Sequence, residues 1–283
     1  PIGGRDCMRV GMKTKRKLAD FGKLTPAEQK IVDEIDSGED IYLGDGNLPP
    51  ENAGDDRKVR AELIRYLAIG GCDACKTHEK GLRIWGVLIE DVLDLEGCSL
   101  GRDIALLNCR FLETPEFRST SLANLFLNGS YLHKGLSADR LEAKGSVFLR
   151  QVKAGGEVRI AGAKLCGDLD CGGAAFSNAG KTALTLDGIE VTGGFFLRSG
   201  ASVVGVMGLS AASVGRLHDD PDCWPKTHGD LALDRFQYEA ITSACVDSKT
   251  RKEWLALQNP ARFGKDFWPQ PYEQLAKVLR EMG

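Results

Sequence analysis

A segment in the middle of the chain recurs. Leu136 to Arg150 (LSADRLEAKGSVFLR) returns further along as Leu184 to Arg198 (LTLDGIEVTGGFFLR). Seven of the fifteen positions are identical: Leu136/Leu184, Asp139/Asp187, Glu142/Glu190, Gly145/Gly193, Phe148/Phe196, Leu149/Leu197 and Arg150/Arg198. Tandem units bury their apolar sides by stacking on one another, so the repeat restricts the chain to an architecture with one continuous core. It says nothing of chemistry.

A finer period runs beneath it. A small or apolar residue, followed two places later by an apolar one, occurs at Val87/Ile89, Cys98/Leu100 and Cys109/Phe111, in steps of 11 residues. The pattern returns at Ala163/Leu165 and Ala174/Phe176, then at Ile189/Val191, Ala201/Val203 and Ala212/Val214. The longest step, from Ala174 to Ile189, contains SNAGK at Ser177 to Lys181, which reads as a surface loop. Between the pairs lie two- or three-residue alternations: Leu82/Ile84, Leu93/Leu95, Val158/Ile160, Leu169/Cys171 and Leu184/Leu186. Strands this short cannot make an open sheet of normal length. Glycines such as Gly86, Gly97, Gly162 and Gly173 stand between them, where a tight corner needs positive φ. The expected fold is mainly β: a parallel β-solenoid, right-handed by the rule for parallel crossovers. A β-sandwich with strands every 8–12 residues is the competing pattern, but it asks for longer strands and needs no long repeat. Glycine supplies 34 of 283 residues, against a usual share of about 7%, as corner positions require.

The ends read differently. Residues 1–23 carry a basic run, Arg9 to Lys17 (RVGMKTKRK), with no aromatic residue in it, and are expected to be a disordered, solvated tail. Residues 24–80 are expected to form an N-terminal helical cap. Thr25-Pro26-Ala27-Glu28 is a capping box with proline at the first helical position, opening a helix to about Asp36. A second helix is expected from Asp55 or Asp56, with Val59, Leu63, Ile64 and Leu67 on its apolar face and Gly70-Gly71 as its stop. The solenoid is placed at 81–217. Residues 218–283 are expected to form a C-terminal cap, with a strand at Leu231 to Tyr238 and helices at Lys249 to Gln258 and Tyr272 to Met282. Solenoid ends expose unpaired strands, and caps at both termini cover them.

Charge and cysteine usage narrow the function classes. The formal net charge is −3, and residues 81–217 hold 14 basic and 14 acidic groups, so nucleic acid is not an expected partner. Nine scattered cysteines fit buried free thiols of a reducing compartment better than a disulfide framework. The opening residues lack an apolar signal region, and no stretch approaches 18 apolar residues. A cytoplasmic chain is expected.

Two sets of residues are candidates for chemistry. Cys72, Cys75 and His78 supply three ligands of a zinc set, with no fourth nearby in sequence. The same cysteines are a candidate redox pair, without the βαβ context of thioredoxin-like sites. Arg83 and Arg159, in LRI and VRI, and Asp94 and Asp170, in LDL and LDC, occupy matching places and alternate with buried neighbours, so they face outward. With Arg150 and Arg198 from the repeat, the arginines form a candidate partner-binding face. Asp/Arg combinations on a solenoid also suit carbohydrate-directed enzymes, but no paired acids stand outside the repeat. No Walker A sequence, nucleophile elbow or dinucleotide fingerprint is present. No catalytic residue or bound cofactor is expected.

Three stretches carry a resemblance: KGLRIWGVLIEDVLDLEG; LSADRLEAKGSVFLR followed by GEVRIAGAKLCGDLDCGGAAF; and FWPQPYEQLAKVLREMG. LTPAEQ at Leu24 to Gln29 joins them. Together they resemble a bacterial family of pentapeptide-repeat-like right-handed β-helix proteins, over roughly residues 24–283. The resemblance implies a pentapeptide-like solenoid with helical ends. Members often carry the label "membrane-associated oxidoreductase", and longer relatives continue past the PQPYEQLA helix into membrane-spanning segments. No flavin or nicotinamide motif in this sequence matches that label. The expected function is a non-enzymatic scaffold or protein-binding module. Two alternatives stand beside it: a DNA-mimicking, topoisomerase-interacting protein of the pentapeptide type, and a redox or metal protein using Cys72 and Cys75.

Overall fold

Short parallel strands stack into a β-solenoid of about seven turns. The computed structural model describes residues 17–259, 261, 264 and 267–282. The basic run therefore lies outside the described residues, except for Lys17.

Each turn contributes to four ladders, taken in chain order. In ladder I the inward column is Leu82, Ile104, Leu125, Val147, Leu169, Phe195, Leu217 and Ile241. Ladder II stacks Ile89, Phe111, Leu132, Ala154, Phe176 and Val203. Ladder III stacks Leu136, Val158, Leu184, Met207 and Leu231. Ladder IV stacks Leu122, Ala143, Leu165, Val191, Val214 and Tyr238. All these side chains are buried, in one cluster that runs from cap to cap. The 11-residue period is thus half a turn and covers two ladders.

The register explains the long repeat. Leu136 pairs with Val158, and Val158 pairs with Leu184. Two turns therefore make the long period, and every repeated position returns to its own column. Leu136 and Leu184 face the core, as do Leu149 and Leu197. Asp139 and Asp187 sit at a corner, where each accepts the N–H of the next turn, Ala161 at 3.0 Å and Ser210 at 2.8 Å. Gly145 and Gly193 stand where a Cβ would come 2.1 Å from Asn124 Oδ1 and 2.2 Å from Asp168 Oδ1. Those two oxygens accept the next N–H along, from Ser146 and Gly194, so the glycine makes room for the corner bond of the turn below.

The SNAGK insertion lengthens its turn as an exposed bulge within the strand Ala175–Thr185. Pairing with the strand Ser202–Gly208 jumps from Ser177↔Val204 to Thr182↔Val206. Gly205, at φ 116°, passes beneath it, where a Cβ would lie 2.6 Å from both Asn178 O and Lys181 O. Strands before this point are mostly two residues long. After it, Glu190–Leu197 and Ser213–Asp219 run through a corner and join ladders IV and I. The strands there are longer than the alternation predicts, because Gly193, Gly194 and Gly215 let an extended chain bend without breaking.

Parallel pairing continues on both sides of residues 81–217. Ile41–Tyr42 pairs with Ile84–Trp85 in ladder I, and Lys58 bridges Leu88 in ladder II. Helices α1 (Pro26–Glu34) and α2 (Ala61–Ala68) close this end, with Ile31, Leu63, Ile64 and Leu67 buried. The capping box forms as expected, with Thr25 Oγ1 accepting from Glu28 N at 3.1 Å. α2 starts later than Asp55 or Asp56, because Val59 N–H bonds Leu88 O at 3.0 Å and holds this segment extended. At the other end Leu231–Ala232 and Gln237–Ile241 extend ladders III, IV and I. Helix α3 (Ser248–Leu255) and helix α4 (Gln270–Glu281) follow. α4 lies against the last strand, with Gln274 Nε2 donating to Tyr238 O at 2.8 Å.

Candidate functional site

The outward column of ladder I carries aromatic rings. The register sets Phe126, Phe148, Asp170, Phe196 and His218 on successive rungs. Rungs about 4.8 Å apart suit offset parallel stacking. The Phe126 and Phe148 rings lie 4.8 Å apart and 11° from parallel, and those of Phe196 and His218 lie 4.2 Å apart and 9° from parallel. Between the two stacks, Asp170 takes the ring position. It is only 5% exposed although it points outward. Arg150 Nε and Nη2 both reach Asp170 Oδ2 at 2.6 Å, and Gly172 N–H donates to Oδ1 at 2.9 Å.

Two residues beyond Phe148 and Phe196 stand arginines. The Arg150 guanidinium lies 5.5 Å from the Phe148 ring centre and that of Arg198 lies 4.8 Å from Phe196. This is cation–π distance. Arg198 forms no ion pair with a carboxylate among the described residues. Burial, then Arg198 and Arg216, holds the His218 imidazole below its usual range. This favours the neutral ring, which stacks on Phe196, with Thr242 Oγ1 3.0 Å from Nε2.

The four arginines read from sequence do not share one surface. Arg150 and Arg198 flank the ring column. Arg83 lies in the same ladder near the N-terminal end, where its Nε bonds Asp40 at 2.6 Å. Arg159 lies in ladder III, two ladders further round, and pairs with Asp139 at 2.7 Å and Glu157 at 3.6 Å. Asp94 is also in ladder III, bridged to Glu116, whereas Asp170 is in ladder I. From Arg83 to Arg159, as from Asp94 to Asp170, the chain makes three full turns and half of another, so matched motifs land on different ladders. No sequence argument names the rings. Their only signal is the shared Phe-Leu-Arg ending at 148–150 and 196–198.

The cysteine pair lies at the N-terminal end, in the loop after α2. Cys72 Sγ and Cys75 Sγ are 3.4 Å apart. His78 turns elsewhere: its N–H bonds Ile35 O, its ring lies over Gly38, and Nδ1 accepts from Lys80 N at 3.1 Å. Two sulfurs make half of a tetrahedral zinc set. Among the described residues no three His, Cys, Asp or Glu side chains are placed to hold a metal.

The ring column does not suit sugar chemistry. Stacked rings present their edges to solvent, whereas a sugar packs on a ring face. The carboxylates beside the rings are committed, Asp168 to Gly194 N–H at 2.7 Å and Asp170 to Arg150. No protein-family profile, curated protein or solved structure matches this chain. No helix among the described residues is long and apolar enough to cross a membrane.

Proposed function

We propose that this solenoid is a non-enzymatic scaffold that binds a protein partner along ladder I. The observation that supports the reading is the half-buried column of Phe126, Phe148, Phe196 and His218, edged by Arg150 and Arg198. Aromatic and arginine side chains are the residues most enriched at the centres of protein interfaces. The column spans five rungs, about 19 Å at the usual strand spacing, and is held rigid by the stack beneath it. The partner this surface fits offers apolar side chains with a carboxylate opposite Arg198, since Arg150 is already paired with Asp170.

The DNA-mimicking alternative needs a line of open carboxylates. Acidic groups do gather on ladder III, but Arg118 pairs with Glu96 and Glu116, and Arg159 with Asp139 and Glu157. That pairing favours the protein-binding reading.

The test is capture and crosslinking from the native host with the full chain and two variants. The double variant Arg150→Glu/Arg198→Glu loses the partner, while Arg159→Glu, two ladders away, keeps it. Equal capture by both variants removes ladder I from the interface. A substrate turned over by the chain, with turnover abolished by one substitution on the solenoid face, overturns the scaffold reading.

A further inference from the structure

The loop after α2 is built so that two sulfurs meet. α2 ends in a Schellman turn, with Gly71 N–H on Tyr66 O at 3.0 Å and Gly70 N–H on Leu67 O at 2.9 Å. Gly71 has φ 68°, and a Cβ there would lie 2.2 Å from Cys75 O, so the chain folds back on itself here. Cys75 N–H then bonds Cys72 O at 2.9 Å, closing a four-residue turn. Thr77 Oγ1, bonded to Leu67 O at 2.6 Å, ties the far side of the loop to the helix. Cys72 is partly exposed and Cys75 is buried. Tyr66 of α2 faces the pair, and its buried hydroxyl has the two sulfurs as its polar neighbours. Open buried hydroxyls are costly to keep; beside a thiolate this one has an acceptor.

We propose that Cys72 and Cys75 form a thiol–disulfide exchange site for low-molecular-weight disulfides, with Tyr66 positioned to hold the attacking thiolate. The Cys72 thiolate attacks one sulfur of R–S–S–R, forms a mixed disulfide and expels R–S⁻. Cys75 gives up its proton and attacks the Cys72 sulfur of the mixed disulfide, and the second R–S⁻ leaves as R–SH. The two protein thiols lose two electrons and two protons, and the small disulfide becomes two thiols. The roles follow from the surroundings. The Tyr66 hydroxyl, then the Cys75 thiol, hold the Cys72 thiol down to about 7, while burial pushes that of Cys75 up. The pair follows a helix C-terminus, whose dipole disfavours a thiolate, so the hydroxyl is the group that offsets it. Burial also pushes the Cys109 thiol up, to about 12, and leaves it inert.

The test uses the reduced full chain in graded mixtures of glutathione and glutathione disulfide, followed by acid quench, alkylation and peptide mass spectrometry. The expected product is an internal disulfide, two mass units lighter, in the peptide holding Cys72 and Cys75. The exposed Cys166 serves as the reference thiol. Tyr66→Phe removes only the hydroxyl and keeps the buried ring, so the fold is retained. It slows Cys72 alkylation at pH 7 by about threefold to tenfold and moves its pH midpoint upward. The proposal is overturned if only glutathione adducts form at oxidant levels that modify Cys166, or if Tyr66→Phe leaves the midpoint in place. One zinc per chain, lost in Cys72→Ser, overturns it as well and assigns the sulfurs to metal.

Discussion

Each end of the solenoid holds an ion pair whose carboxylate is fully buried, and the two pairs differ in their access to water. At the N-terminal end Glu28 of α1 is fully buried, but its partner Arg60 keeps a third of its side chain exposed. At the C-terminal end Asp219 is fully buried and Arg251 of α3 is 2% exposed. Arg251 bonds both Asp219 oxygens at 2.8 Å, Trp224 Nε1 donates to the same carboxylate at 2.6 Å, and Arg251 Nε bonds Cys245 O at 2.7 Å. Backbone pairing serves both ends. Before its ion pair the N-terminal cap is already sewn to the coil at Ile41–Tyr42 and Lys58. The C-terminal cap is joined by Leu231–Ala232 and Gln237–Ile241, and Gln258 after α3 adds a bridge to Leu231.

The largest expected effect follows from that contrast. Arg251→Ala leaves the Asp219 charge buried without its partner and costs about 3–5 kcal/mol, read as a fall in the urea midpoint at unchanged slope. The double change Asp219→Leu/Arg251→Met removes both charges and keeps the volume. It recovers most of that loss, because replacing a whole buried pair by apolar groups is often neutral. Should the double variant be as unstable as the single one, the pair acts as more than a charge balance, and the two ends differ by more than their access to water.

Sequence reasoning reaches both ends unevenly. The capping box at Thr25 and Glu28 is legible because its geometry is local. Its second use is not: Glu28 also accepts from Arg60 N at 3.0 Å and Nε at 2.7 Å, far along the chain. The solenoid itself is legible because inward positions must be apolar at every half turn. The ladder to which a residue belongs is not, since that requires the length of every intervening turn. Asp94 and Asp170 match in their motifs and still fall on different ladders for this reason. The ring column hides in the same way, because Phe148 and Phe196 flank Asp170 across two turns of unequal length. The cysteine turn is local and can be read, whereas the direction of the His78 ring depends on Ile35 and Gly38.

Glu28→Gln is the middle case. Burial alone would raise the Glu28 carboxyl, but the Arg60 side chain and the backbone N–H groups of Thr25 and Arg60 outweigh it and hold the group below its ordinary 4.5. A carboxyl lowered in the folded state adds stability that is fully present above its unfolded value. That stability disappears as pH falls through the folded value. The wild-type chain should therefore lose stability on acidification below about 4.5, and Glu28→Gln should flatten that part of the profile. At pH 7 the variant is expected to be about 1–2 kcal/mol less stable, since solvent screens the exposed side of Arg60. An unchanged acid limb in thermal unfolding between pH 3 and 5 would mean that the N-terminal lock contributes no linked protonation.

The smallest effect is expected from Arg60→Lys, which keeps the charge and loses the fork. Arg60 Nη1 bonds Phe21 O at 2.7 Å, while Nε and Nη2 divide between the two Glu28 oxygens. A lysine ammonium reaches one of these acceptors in place of three. The Glu28 charge stays compensated, so the cost is that of geometry alone, about 0.5–1 kcal/mol. Arg251→Lys at the dry end deprives Asp219 of its bidentate bond without water to replace it, and its cost should exceed that of Arg60→Lys by at least about 1 kcal/mol. Paired urea titrations of the two lysine variants isolate the contribution of solvent access. Equal losses would show that the exposed third of Arg60 does not lower the cost.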